Sequence, residues 1–238
     1  MLMAVVPDLS PFASACDGLE ANGYHVIPIG PRTKAPSEFR NNRWFPMDRW
    51  ERFRTEPAPS LLRIHWKTWP DANIGIVTGT PAGDDTILAC FDFDTDDPDA
   101  LDVLSRAVVP SPVVKKGRRG YSSFYRVAAG TKGYRTALFE LLTDTRQTVV
   151  PGSIHPDTGT PYAYTSRRTL EDVHVSHLPL LDEVLLIAPK PVLPTQLAQG
   201  VAQRSPGLQY VIFFFHRIPV VCSIRQLFRT HRMQSRNC

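Results

Sequence analysis

Apolar and polar positions alternate most sharply over residues 86–94, TILACFDFD, where Phe91 and Phe93 continue an apolar run that Asp92 and Asp94 interrupt. Successive side chains of a strand point to opposite faces. The two phenylalanines therefore share one face and the two carboxylates the other, close enough to share a cation. Without a cation, the repulsion between the two carboxylates weakens the fold locally.

The same patterning predicts the neighbouring elements. Leu9, Phe12, Ala13, Cys16 and Leu19 recur at helical spacing, with Asp8 as cap and Gly23 as stop. YHVIPI (24–29) reads as a buried strand, GPRTKAP (30–36) as a loop carrying Arg32 and Lys34, and 37–58 as weakly patterned. A short helix is expected over 59–69, with Pro59 in its first turn. A strand follows at 73–79, then the aspartate-bearing strand at 86–94. Asp97 and Pro98 have the form of an N-cap and first helical residue, so capping and the helix dipole account for Asp96, Asp97 and Asp99. Two strands around a basic turn are expected in 111–127, and two more at LFELL and QTVVPGSIHP. A short strand at YAYT and a helix over 178–187 follow. Strands joined in hairpin-like fashion and mixed with helices favour an α+β fold.

Charge divides the chain. The net charge is +4, yet Glu183 is the last acidic residue and seven basic residues follow it. Residues 1–183 hold 20 basic and 23 acidic side chains, so nucleic acid would have to be met by a local patch. This shift sets the expected organisation: a domain at 1–187 and a basic, acid-free tail at 188–238. The tail reads either as a truncated or out-of-frame remnant or as a nucleic-acid-binding extension. No stretch reaches the ~18–20 apolar residues that span a bilayer, and no signal peptide is evident. The four cysteines form no zinc-type spacing. A cytoplasmic protein with free thiols is expected.

Three motifs carry candidate chemistry. Asp92 and Asp94 offer hard oxygen ligands suited to Mg²⁺ or Mn²⁺. A calcium loop of the EF-hand type fails, because its sixth position would be Asp97 instead of Gly and its twelfth Val103 instead of Glu. In VVPGSIHPDTG an apolar strand delivers Ser153 and His155 into a turn. KKGRRG places Lys115, Lys116, Arg118 and Arg119 around two glycines, a local anion site for phosphates. No P-loop motif occurs.

In this order the motifs resemble the bifunctional DNA primase/polymerase N-terminal domain, the prim-pol branch of the archaeo-eukaryotic primases of plasmid, phage and prophage replication. The resemblance runs over roughly 12–187, through ANGYHVIPIGPRTKAP, ANIGIVTG, LACFDFD, VVKKGRRGYSSFYR and RQTVVPGSIHPDTGTPY. It implies an RRM-like catalytic sheet with a smaller N-terminal α/β module packed beside it. It also implies a two-metal site at Asp92 and Asp94, with Ser153 and His155 on the incoming nucleotide's phosphates. A third carboxylate is expected after Ser-x-His. Glu171, Asp172 and Asp182 are available, and the strand-like TLEDVHV favours Asp172. Implied partners are a single-stranded DNA template, NTP or dNTP, and a replicative helicase supplied in trans. A metal-dependent nuclease and a non-catalytic single-strand-binding module are the competing classes.

Overall fold

The computed structural model describes residues 9–181. The expectations for Asp8, for Asp182 and for the 188–238 tail lie outside these residues. Helix α1 (Pro11–Ala21) starts at Ser10, whose hydroxyl accepts from the Ala13 N–H at 3.2 Å. Phe12, Cys16 and Leu19 form its buried side, as their spacing predicts.

Two sheets follow from two kinds of strand. β1 (Val26–Ile29) and β4 (Asn73–Thr78) are buried at every position. They join β10 (Arg146–Val149) in an antiparallel sheet of order β1-β4-β10. The N-terminal module is therefore completed by a strand from far along the chain. The second sheet has six strands: β5 (Thr86–Phe93), β6 (Val114–Lys116), β7 (Tyr121–Ala128), β8 (Tyr134–Arg135), β9 (Phe139–Leu142) and β11 (Ala163–Tyr164). Their order is β11-β6-β7-β5-β9-β8, every pairing antiparallel. With helices α2 (Ser60–Lys67) and α3 (Pro98–Ala107), the fold is α+β.

The alternation in β5 sorts its side chains as expected. Leu88 and Cys90 join the core shared with α1, β1 and β4. Phe91 and Phe93 take the opposite face, where Phe91 stacks on Phe139 at 4.9 Å and Phe93 on Tyr121 at 4.3 Å. Tyr125, on that face, donates to the carbonyl of Val109 just beyond α3. Asp97 caps α3, its Oδ1 accepting from the Asp99 and Ala100 N–H groups. Asp96 plays no part in that cap. Its Oδ1 accepts from the Gly120 N–H at 2.9 Å and closes the β6–β7 turn onto the end of β5.

Three segments depart from expectation. Residues 37–58 contain a hairpin, β2 (Ser37–Arg40) and β3 (Arg43–Pro46), joined by Asn41 and Asn42 at φ 51° and 57°. Asn-Asn is the turn chemistry that tolerates two left-handed residues, and it was the signal available in the sequence. TLEDVHV is not a strand: Asp172 closes a turn by accepting from Thr169, and a 3₁₀ helix (Val175–His177) follows. Of the helix expected over 178–187, the described part is extended, with Leu180 bridged to Arg126.

Gly120 sits at φ +56°, and a Cβ there would be driven into the carbonyl oxygen of Phe93. Gly120→Ala is expected to destabilise the fold by about 2 kcal/mol or more, because both strain and overlap act at once. A thermal melt checks this; an unchanged Tm contradicts it.

Candidate active site

Register builds the centre of the six-stranded sheet. Lys115 pairs with Ser122, Ser122 with Asp92, Asp92 with Glu140, and Glu140 with Arg135. Directly opposed residues of antiparallel strands project to the same face. One row therefore crosses all six strands, from Tyr164 on β11 to Arg135 on β8, with two adjacent carboxylates inside it and a cation to either side of them. Ser122 Oγ donates to Asp92 Oδ1 at 2.6 Å. Asp94 lies two residues on, and Arg119 meets its Oδ1 with Nε at 3.0 Å and Nη2 at 2.7 Å. Arg135 reaches Asp94 Oδ2 at 3.5 Å and Glu140 Oε2 at 3.9 Å. Asp92, Asp94, Lys115, Arg119, Ser122 and Glu140 line a cleft of about 480 Å³.

The opposite wall comes from the smaller sheet. β10 ends at Val149, so Ser153 and His155 lie in the turn beyond it, not on a strand face. Ser153 is fully buried; its hydroxyl accepts from the Ile74 N–H at 2.9 Å and donates to the Ile74 carbonyl at 3.2 Å. The Asn73 amide pairs with both backbone groups of Ile154. Together they clamp this turn to the start of β4 and present His155 to the cleft. His155 Nδ1 accepts from the Asp157 N–H at 3.2 Å, so the neutral ring carries its proton on Nε2.

Tyr162 joins the two walls. Its ring lies 5.1 Å from that of His155 and 5.3 Å from the ammonium of Lys115. Gly117 makes room, since a Cβ there would stand 3.0 Å from the ring. Lys115 is only 5% exposed, and its Nζ makes no ion pair among the described residues. A buried ammonium facing a cleft without a counter-ion is a site for an anion. Burial, then the nearby Lys34, lowers the His155 pKa; Asp157 opposes this, and Arg118 and Lys115 add to it. Burial, with Asp92 and Asp157, pushes the Tyr162 phenol up to about 12.

Of the residues singled out from the sequence, the cleft gathers Asp92, Asp94, Lys115, Arg118, Arg119 and His155. Arg118 there faces Asp157 at 3.5 Å. Lys116 is exposed, one residue out of phase with Lys115. Ser153 spends its hydroxyl on the backbone of Ile74 instead of facing the cleft. Asp172 is outside the cleft and fully exposed, its carboxyl held below the usual range by the Thr169 backbone and hydroxyl bonds. Glu171 packs beside Gly18 of α1. Besides Asp157, which follows Ser-x-His and faces Arg118, the cleft holds one further carboxylate, Glu140, which precedes Ser-x-His in sequence. Its signal was the same as that of Asp92, a single acid in an apolar strand, LFELL. Lys34, Tyr162 and Gln147 also line the cleft. Lys34 was noted only as a loop cation, and Tyr162 and Gln147 went unnoticed, because only pairing between distant segments brings them there.

The donor chemistry suits a hard divalent cation: four carboxylates, Asp92, Asp94, Glu140 and Asp157, line one cleft. Among the described residues no group of three His, Cys, Asp or Glu side chains is close enough to hold a metal ion together. Arg119 and Arg135 supply the positive charge that Asp94 meets.

An acidic pair flanked in its row by a buried lysine and an arginine, and faced by an imidazole, has the chemistry to take a polyanionic ligand together with a cation. The family model for the bifunctional DNA primase/polymerase N-terminal domain matches residues 16–180, and the chain belongs to that family. DNA priming and polymerisation are the general activity of the family, its substrates are DNA and nucleotides, and its members generally use divalent metals. A search of curated proteins returns no significant match. No helix among the described residues is long and apolar enough to cross a membrane.

The lowered His155 pKa has a sign that can be measured. Below the ordinary 6.5 the unfolded chain takes up this proton more readily than the folded one. The stabilising contribution is therefore present above that pH and is lost as pH falls toward the folded value. An NMR titration of the ring is expected to give a midpoint below 6.5. A midpoint at or above it contradicts the geometry described.

Proposed function

We propose that the cleft is a nucleotidyl-transfer centre that synthesises and extends primers on single-stranded DNA from NTP or dNTP. The observation that carries this reading is convergence: Asp92, Asp94 and Glu140 come from the larger sheet, and His155 on the smaller one faces them. Asp92 and Asp94 would hold Mg²⁺ or Mn²⁺, with Glu140 as the third carboxylate in place of Asp172. Such cations, when bound, neutralise the triphosphate and make the attacking hydroxyl more acidic.

The chain's own residues do the rest. The Nε2–H of His155 donates to a phosphate oxygen, and the Nδ1 bond to Asp157 keeps the ring in that tautomer. Lys115 meets phosphate charge from the floor of the cleft, while Arg118 and Arg119 meet it from the rim. Arg119 leaves Asp94 when a triphosphate arrives, exchanging one carboxylate for several phosphate oxygens. Ser153 acts as a positioning residue by fixing the His155 turn to β4. Lys34 reaches the cleft from the smaller module and narrows its mouth.

The family resemblance supports a setting in plasmid, phage or prophage replication, in the cytoplasm, with a helicase supplied in trans. We place the end of this domain near residue 187, with 188–238 as a separate tail.

Primer synthesis and extension on single-stranded DNA, with labelled nucleotides and Mg²⁺ or Mn²⁺, tests the proposal. The parent is expected to form product. Asp92→Ala/Asp94→Ala and Glu140→Gln should each lose about two orders of magnitude or more, the scale of removing an electrostatic anchor from a reacting centre. Asp172→Asn should stay within about twofold of the parent, as for an exposed side chain remote from the chemistry. Template degradation without added nucleotides would mark a nuclease instead. No product from the parent, with template binding intact, would mark a binding module.

A further inference from the structure

We propose that the outer face of the β2–β3 hairpin binds the single-stranded template, an inference that rests on the function proposed above and names where its partner lies. Among the described residues this hairpin pairs with no other sheet. Its inner face is accounted for: Trp44 packs against Phe39 at 5.4 Å and edge-on to Trp69 at 5.7 Å. Strand alternation leaves Glu38, Arg40, Arg43 and Phe45 on the other face.

That face has the chemistry of a nucleic-acid platform. Arg40 and Arg43 flank the two-residue turn and stand directly opposite each other. Like charges in that position destabilise a hairpin unless an anion lies between them. Glu38 meets Arg40 at 3.3 Å, whereas Arg43 makes no ion pair among the described residues. The Arg40 guanidinium lies 4.6 Å over the Phe45 ring, giving a flat cation–aromatic surface. Guanidinium charge beside an aromatic ring is the combination that holds phosphates and stacks unpaired bases.

Charge and position agree with this assignment. Residues 30–54 contain seven basic and three acidic side chains, in a domain where acids otherwise outnumber bases. The hairpin begins three residues after Lys34, which lines the cleft. Its root is fixed there: Met47 N–H donates to the Pro36 carbonyl at 3.0 Å, and Gln147 Nε2 donates to the Lys34 carbonyl at 2.5 Å. A strand lying on the hairpin is thus led toward the site where nucleotides would be joined. Unpaired bases expose the faces that Phe45 and Arg40 can stack on, which a duplex does not.

The test is fluorescence anisotropy of a labelled single-stranded oligodeoxynucleotide with the full chain over a range of salt. Binding of a labelled nucleotide with Mn²⁺ is measured in parallel. Arg40→Gln/Arg43→Gln should lower the slope of log affinity against log salt by about 1.4, or about 0.7 for each phosphate no longer neutralised. Phe45→Ala should weaken binding at least about fivefold with little change in slope, the effect of losing one base stack. The arginine variant should melt close to the parent, since removing the like-charge pair offsets the loss of the exposed Arg40–Glu38 and Arg40–Phe45 contacts, and both should bind nucleotide as the parent does. Unchanged slope and affinity in a folded arginine variant overturn the proposal, as does a loss confined to duplex DNA. Failure of the parent to incorporate nucleotide overturns the reading of the cleft instead, and is measured separately from the hairpin's salt slope.

Discussion

Asp92 and Glu140 face each other across two neighbouring strands, and the rest of the site is arranged around that repulsion. Like charges directly opposite in a sheet cost a few tenths to about 1 kcal/mol. An ordinary structural sheet would replace one of them. Here the cost is met by neighbours: Ser122 donates to Asp92, and Arg135 approaches both Glu140 and Asp94. The phenylalanines on the reverse face of β5 and β9 hold the strands in the register that keeps the acids together. A slip of one residue would send every carboxylate to the buried aromatic face.

The second constraint is that the imidazole must face this row from another sheet. β10 achieves it by pairing with β4 instead of joining the larger sheet. Ser153 and Asn73 then fix the turn through backbone bonds, and the His155 ring lies against Tyr162. The small module therefore does more than cover a face of the sheet. It supplies one wall of the cleft, lined by Lys34 and His155, and it carries the hairpin whose arginines stand opposite each other without enough carboxylate to balance them.

Much of the site was legible where the signal is local. The alternation of Phe91 and Phe93 with Asp92 and Asp94 placed the carboxylates on one face, and Asp97-Pro98 marked the start of α3. Residues 111–127 were correctly read as two strands around a basic turn. What stayed hidden depends on register between distant segments. Glu140 joins Asp92 only because β9 pairs with β5, and β9 shows no charge pattern of its own beyond one acid. Asp172 was preferred because TLEDVHV alternates like a strand, yet Asp172 bonding to Thr169 makes it a turn. Ser153 carries a hydroxyl suited to a phosphate, but local sequence does not reveal that the Ile74 backbone takes both of its hydrogen-bonding roles.

Fe²⁺-dependent hydroxyl-radical cleavage of the chain, read by mass spectrometry with nucleotide present, locates bound divalent metal without relying on turnover. If Asp92, Asp94 and Glu140 form the cation-holding centre, the cuts cluster around 92–94 and 139–141 and disappear when excess Mg²⁺ competes. Cuts clustered at 169–175, or spread without preference along the chain, would contradict that assignment of the centre.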